Sequence, residues 1–181
     1  MSRIGRLPIA IPDGVNVKID GNTVTTQGKL GTLSVTVDPV ITVKVEGKEI
    51  LVTRANDQRE SKAKHGLYRQ LIHNNVVGVS EGYKKSLLPV GVGYKANLQG
   101  KDLVLNIGYS HPITVKAPEG VSFEVLTQPA LEVVVKGIDK EVVGQCAANI
   151  HALRKVDPYH GYGIHYKDKP IPHKEIKKAA K

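Results

Sequence analysis

The residues best suited to chemistry on a partner lie in one stretch, "PYHGYGIHYKDKP", from Pro158 to Pro170. Tyr159, Tyr162 and Tyr166 bring three of the chain's 7 tyrosines, and His160 and His165 two of its 7 histidines. Lys167 and Lys169 bring charge, while Gly161 and Gly163 allow positive φ and close approach of backbone. Rings beside cations on a loose backbone suit unpaired bases and sugar-phosphate. Base–aromatic stacking contributes about 1–3 kcal/mol per base, and lysines follow the phosphates. The same tyrosines could instead pack back on the chain and brace the exit from the preceding helix; both readings can hold for different rings. No strand alternation or helical repeat runs through the stretch, so irregular backbone is expected there.

Neighbouring cations extend this candidate surface. The tail "HKEIKKAAK" starts at His173, and its lysines, Lys174, Lys177, Lys178 and Lys181, stand at helical spacing. Such a tail can form a helix against a polyanion or remain a solvated, frayed end. Arg154 and Lys155 precede the stretch, Arg69 lies in an earlier helical segment, and Lys95 follows a glycine-rich run. Arg3 and Arg6 sit in a basic start, "SRIGRLP".

Other chemistries are poorly served. "GVGYKA" (Gly91 to Ala96) has the spacing G-x-G-x-x-A, but a dinucleotide fingerprint must follow a strand and open a helix. Here "NLQGKDLVLNI" follows, which reads as a hairpin. His160, His165 and His173 are spaced by five and eight residues and match no metal template. Cys146, the one cysteine, falls on an apolar helical face and excludes an intrachain disulfide. His151, five residues on, points elsewhere, so a thiolate nucleophile is not expected. The carboxylates are scattered over turns and strand faces (Asp20, Glu46, Glu119, Asp139). No catalytic residue, no cofactor and no metal site are therefore expected.

The charge balance points the same way. The chain has 181 residues and a net charge of +9. From Arg154 onward there are eight basic and three acidic residues, so the last 28 positions hold +5 of that surplus. A concentrated basic end favours a polyanion, nucleic acid before anionic membrane. No segment approaches the roughly 20 apolar residues of a spanning helix, and the first residues lack a signal-peptide pattern.

The elements that would carry these residues are short strands and two helices. Trp is absent and Phe occurs once, so Val, Ile and Leu must build the core, which favours sheets. "VNVKI" and "TVTTQ" flank Asp20-Gly21-Asn22, and "ITVKV" and "EILVT" flank Glu46-Gly47-Lys48: two hairpin signals. "LSVTV" lies between. In "DQRESKAKHGLYRQLIHN" the spacing of Ala63, Leu67 and Leu71, with Ile72, predicts an apolar helical stripe. Asp57 and Glu60 predict a capping box, and Asn74-Asn75 a stop. The second half repeats the order: "YKANLQ", "DLVLNI", "ITVKA", "SFEVL" and "LEVVVK" as strands, then a helix. That helix begins after Asp139 with Val142, Val143, Cys146, Ala147, Ile150 and Leu153 on one face, and ends before Pro158. A slide of 79 positions lays Ala63 on Val142, Leu67 on Cys146 and Leu71 on Ile150. The expected fold is α+β, with two tandem similar domains, 1–82 and 83–156. Each has a small antiparallel sheet packed with one main helix, and a basic aromatic extension, 157–181, follows.

Several segments together resemble a known family. "SRIGRLPIAIPDGV", "GNTVTTQGKLGTLS", "VGVGYKANLQGKDLVLNIGYSHPI" and "DPYHGYGIHY" are similar to the sixth protein of the bacterial large ribosomal subunit, in order and over essentially the whole chain. The resemblance implies two tandem α+β domains and direct binding to large-subunit ribosomal RNA, mainly by the second domain and the extension. It places such a protein in the cytoplasmic ribosome, near the factor-binding side and the sarcin–ricin region, beside other large-subunit proteins. The implied role is architectural, without catalysis, cofactor, membrane or small-molecule substrate. There is one departure: the family pattern has lysine at the positions of His160 and Tyr162 and arginine at that of His165. Stacking or hydrogen bonding would then replace part of the ionic contact. Two other classes remain open from the residues alone: a free-standing module binding single-stranded RNA, and an enzyme using the "GVGYKA" segment.

Overall fold

The computed structural model describes residues 3–175. The chain divides into two compact units, Met1–Tyr83 with Ile138–Lys140, and Lys84–Gly137 with Glu141–Lys181. Their secondary structure follows the same order.

In the first unit, β1 (Ile9–Ala10) is followed by β2 (Asn16–Asp20), β3 (Thr23–Gln27) and β4 (Thr32–Thr36), which form one antiparallel sheet. β5 (Ile41–Glu46) and β6 (Glu49–Arg54) close a hairpin, and β1 adds to the free side of β6. The alternation that predicted these strands puts Val24, Ile50 and Val52 inside, with Ile9, Val37, Ile41, Ile72 and Val76. Each unit thus holds two small sheets with its helix, rather than the single expected sheet.

Helix α1 (Arg59–Ser80) differs from its sequence reading in three ways. First, Asp57 does not cap it. Arg54 Nε and Nη2 both donate to Asp57 Oδ1, at 2.9 and 2.6 Å, and the helix starts after Gln58 with no side-chain cap. Second, it does not stop at Asn74-Asn75. Val76 and Val79 continue the buried face, and the end comes at Gly82, whose φ of +77° turns the chain while its N–H donates to Val77 O. Third, the apolar stripe faces out: Leu67 is 53% exposed, and Ala63 is exposed too. The buried face is Ser61, His65, Arg69, Ile72, Val76 and Val79. Its polar members are satisfied in place. His65 Nε2 bonds Val52 O at 2.8 Å, and Arg69 donates to Leu7 O and Pro8 O, both at 3.1 Å.

The second unit repeats the plan. β7 (Tyr83–Val90) leads into β8 (Lys95–Gln99), β9 (Asp102–Asn106) and β10 (Ile113–Val115), the last three forming an antiparallel sheet. β11 (Val121–Leu126) and β12 (Glu132–Gly137) then pair antiparallel. Helix α2 (Lys140–Leu153) buries Val143, Cys146, Ala147 and Ile150, as its periodicity predicted. The chain then adds β13 (Gly163–Tyr166), where irregular backbone was expected. It pairs antiparallel with β7, Ile164 against Pro89, and completes a sheet ordered β11-β12-β7-β13. The 79-position slide matches β2 to β8 and β3 to β9, but it fails inside the helix. There the buried His65, Arg69 and Ile72 fall on buried Val143, Ala147 and Ile150 at an offset of 78.

Candidate nucleic-acid interface

The segment after α2 is organised by Asp157, which the sequence marked only as a helix stop. Its Oδ1 accepts from the Tyr159 N–H at 3.1 Å, and its Oδ2 from the His160 N–H at 3.2 Å. His160 Nδ1 lies 2.7 Å from the same Oδ2. The Asp157 backbone closes the loop: its carbonyl accepts from Gly161 N–H and its N–H donates to Tyr162 O, both at 2.8 Å. These backbone donors, then His160, hold the Asp157 carboxyl below the usual carboxylate range.

This turn presents rings. Tyr159 is 50% and Tyr162 48% exposed. The His160 and Tyr162 rings stack with centroids 6.0 Å apart and 8° between their planes. The two glycines serve the fold itself. Gly161 has φ +75° and Gly163 φ +140°. A Cβ on Gly163 would stand 2.7 Å from Lys155 O, and one on Gly161 3.1 Å from His173 Cε1. The close approach is therefore by this chain's own backbone and side chains.

The remaining sequence-selected residues divide between bracing and exposure. His165 lies on β13 opposite Leu88, with a buried Nδ1 that has no partner among the described residues. Burial, then His151, pushes its imidazole below the ordinary value. Tyr166 stacks on His151 at 5.2 Å and carries Lys169 Nζ 5.3 Å from its ring centroid. Lys167 is an exposed cation tied to Glu132 Oε2 at 2.8 Å, and it holds that carboxyl below its usual range.

Arg154 lies over the Tyr109 ring at 5.3 Å, and Tyr109 Oη donates to Leu153 O. Lys155, His173 and Lys174 are exposed, and the Lys174 N–H donates to Pro158 O at 2.9 Å, which folds the end of the described chain back onto the turn. Lys95 is exposed on β8, away from this turn in sequence, in a hairpin rather than at a helix start. Tyr94 turns its ring onto Gly91, where a Cβ would meet it at 2.6 Å. Arg69, expected to face phosphate, is instead buried: it is 9% exposed and its guanidinium donates to two backbone carbonyls inside the first unit. Lys177 and Lys178 lie outside the described residues.

The structure thus gathers Tyr159, His160, Tyr162, Arg154, Lys155, His173 and Lys174 around the Asp157 turn and the end of α2. Tyr166, Lys167 and Lys169 follow on and after β13. Asp157, His151, Glu132 and Tyr109, none of them selected from the sequence, hold these side chains in place. The Asp-Pro step was the one visible signal for the Asp157 turn.

Two repeated α+β units, the second closed by a basic and aromatic segment, define a duplicated-domain protein. Comparison with known proteins gives the family. The model described as "Ribosomal protein L6" matches residues 11–82 and again 90–167, once in each half. A large ribosomal subunit protein uL6 from Caldicellulosiruptor bescii is 54% identical over 177 residues, covering 98% of this chain and 96% of that protein. Its counterpart from Carboxydothermus hydrogenoformans is 51% identical over 100% of this chain and 98% of its own length. One from Clostridium botulinum is 50% identical with 100% of both covered. The chain belongs to the ribosomal protein L6 family.

Proposed function

We propose that this chain is a structural constituent of the large ribosomal subunit in the cytoplasm. In this reading it binds the large-subunit RNA directly and stabilises its fold near the factor-binding, sarcin–ricin region, among neighbouring subunit proteins. The relatives named above are large-subunit proteins matched over nearly their full length, which supports the assembly. The observation that carries direct RNA contact is the Asp157 turn. It holds the exposed Tyr159 and the stacked His160–Tyr162 pair beside Lys155 and Lys174, two exposed cations.

The arrangement suits a mixed contact. Rings take an unstacked base or lie on a ribose, and the cations meet phosphate. Where the family pattern has lysines, His160 and Tyr162 offer a stacking platform instead, and the ionic part falls to Arg154, Lys155 and Lys174. The role is architectural; nothing in the turn assembles a nucleophile with a base.

The test is sedimentation. The tagged chain is expressed in a bacterial host and its lysate is resolved on a sucrose gradient. It is expected to migrate with large subunits and with whole ribosomes. A chain that remains in the free fraction while binding short single-stranded RNA would instead be a free-standing RNA-binding module.

A further inference from the structure

The second unit carries a cleft of about 220 Å³ lined by Lys85, Gly144, Tyr166, Asp168 and Lys169. We propose that this cleft is a subsite for a single unpaired nucleotide of the RNA. Lys85 and Lys169 would meet its phosphate, and Asp168 would accept from a ribose hydroxyl or a base amine. The proposal rests on the reading of the chain as an RNA-binding protein and names one place where it grips.

Gly144 is the first observation. It stands inside α2, where glycine is unfavourable relative to other residues, and its conformation is ordinary helix. A Cβ placed there would meet nothing within 4 Å. Neither backbone strain nor packing within the chain asks for glycine at this position. Its absent side chain keeps the floor of the cleft open, and close approach by a partner is a standing reason for glycine on a helix.

The walls give the second observation. Tyr166 is held rigid by the stack on His151 at 5.2 Å, with Lys169 Nζ 5.3 Å from its centroid. Lys85 Nζ is 3.7 Å from Asp168 Oδ2, both side chains being well exposed at 49% and 71%. An ion pair this open contributes little, so Lys85 can turn to a phosphate at small cost. Two ammonium groups and one carboxylate thus converge on a ring-walled slot. Its volume falls below the roughly 300 Å³ at which small-molecule sites begin. That size favours a protruding piece of a larger partner over a free metabolite. The partner is taken as RNA because Tyr166 and Lys169 continue from the strand that leaves the Asp157 turn.

The experiment compares wild type, Gly144→Leu and Asp168→Ala for binding to large-subunit RNA across a salt series, with thermal unfolding of each. Leucine is a better helix former than glycine, so Gly144→Leu should hold or raise the thermal midpoint while filling the slot. Its affinity is expected to fall about tenfold, and the slope of log affinity against log salt by about 0.7–0.9, one phosphate contact. Asp168→Ala should lower affinity with no loss of slope, because it removes the acceptor and no cation. If wild type binds and both variants match it in affinity and slope, the subsite is overturned while the RNA-binding reading stands. If wild type itself fails to bind, both fall. A Gly144→Leu chain that keeps RNA affinity but fails to retain a neighbouring protein in the subunit would also overturn the nucleotide assignment, in favour of a protein contact.

Discussion

Arg69 and His160 show how little a residue's type says about its task. Both are basic side chains that follow a tyrosine in sequence. Arg69 donates to Leu7 O and Pro8 O from a buried position, whereas His160 is exposed and braced by Asp157. Arg69→Ala is expected to lower stability by about 1.5–3 kcal/mol, the usual range for a hydrogen bond to a charged group. A denaturant titration of the full chain measures this, and the salt slope of RNA binding should not change. Replacing His160 and Tyr162 together by alanine should do the reverse. RNA affinity should drop by about 1–3 kcal/mol for one stacked base, with the salt slope kept and the thermal midpoint little moved. An unchanged affinity would remove the platform from the interface.

His165 adds a pH signature. Burial lowers its pKa from 6.5 in the fold, so the unfolded chain binds more protons just below that value. Stability contributed by the neutral imidazole is present above pH 6.5 and is lost as pH falls through the folded value. Imidazole NMR should find His165 titrating below 6.5; a value at or above it would contradict the buried placement. These positions were hard to read for a definite reason. Ser61, His65 and Arg69 form a polar stripe that hydropathy cannot tell from a solvated face, and Ala63, Leu67 and Leu71 supplied a false apolar one.

Among the elements, hairpins were legible and the closing strand was not. The β2–β3 and β5–β6 turns carry glycine at Gly21 and Gly47 between alternating runs, and the structure pairs those runs in register. Helix α2 was legible because its buried positions are all apolar or cysteine. β13 has four residues and one fully buried hydrophobic, Ile164. No period can show in so short a run, and its partner β7 lies far back along the chain. The consequence is practical. A chain ending at Val156 loses an integral strand of the four-stranded sheet, so it should unfold at a clearly lower temperature as well as bind RNA poorly. Gly163→Ala should act alike and more mildly, since φ +140° and a 2.7 Å contact with Lys155 O both oppose a Cβ. Thermal unfolding of either chain at the wild-type midpoint would contradict the role given to β13.

At the scale of the molecule, duplication and charge asymmetry were both visible in the residues. The repeated order of strands and helix survives little shared identity because packing constrains pattern more than residue type. The surplus of charge after Arg154 marked one region, but the sequence could not sort exposed cations from paired ones. Lys167 is held by Glu132, while Lys155 and Lys174 present their charges on the surface around the turn, and Arg154, also exposed, lies over the Tyr109 ring. That sorting makes the central claim testable without disturbing the backbone. Binding of large-subunit RNA should be followed across a salt series for wild type and for the triple variant Arg154→Gln, Lys155→Gln, Lys174→Gln. With about 0.7–0.9 of slope per phosphate contact, the slope should fall by about 2 and the affinity with it, with the thermal midpoint little moved. A triple variant with the slope and affinity of wild type would contradict it and move the contact away from the Asp157 turn.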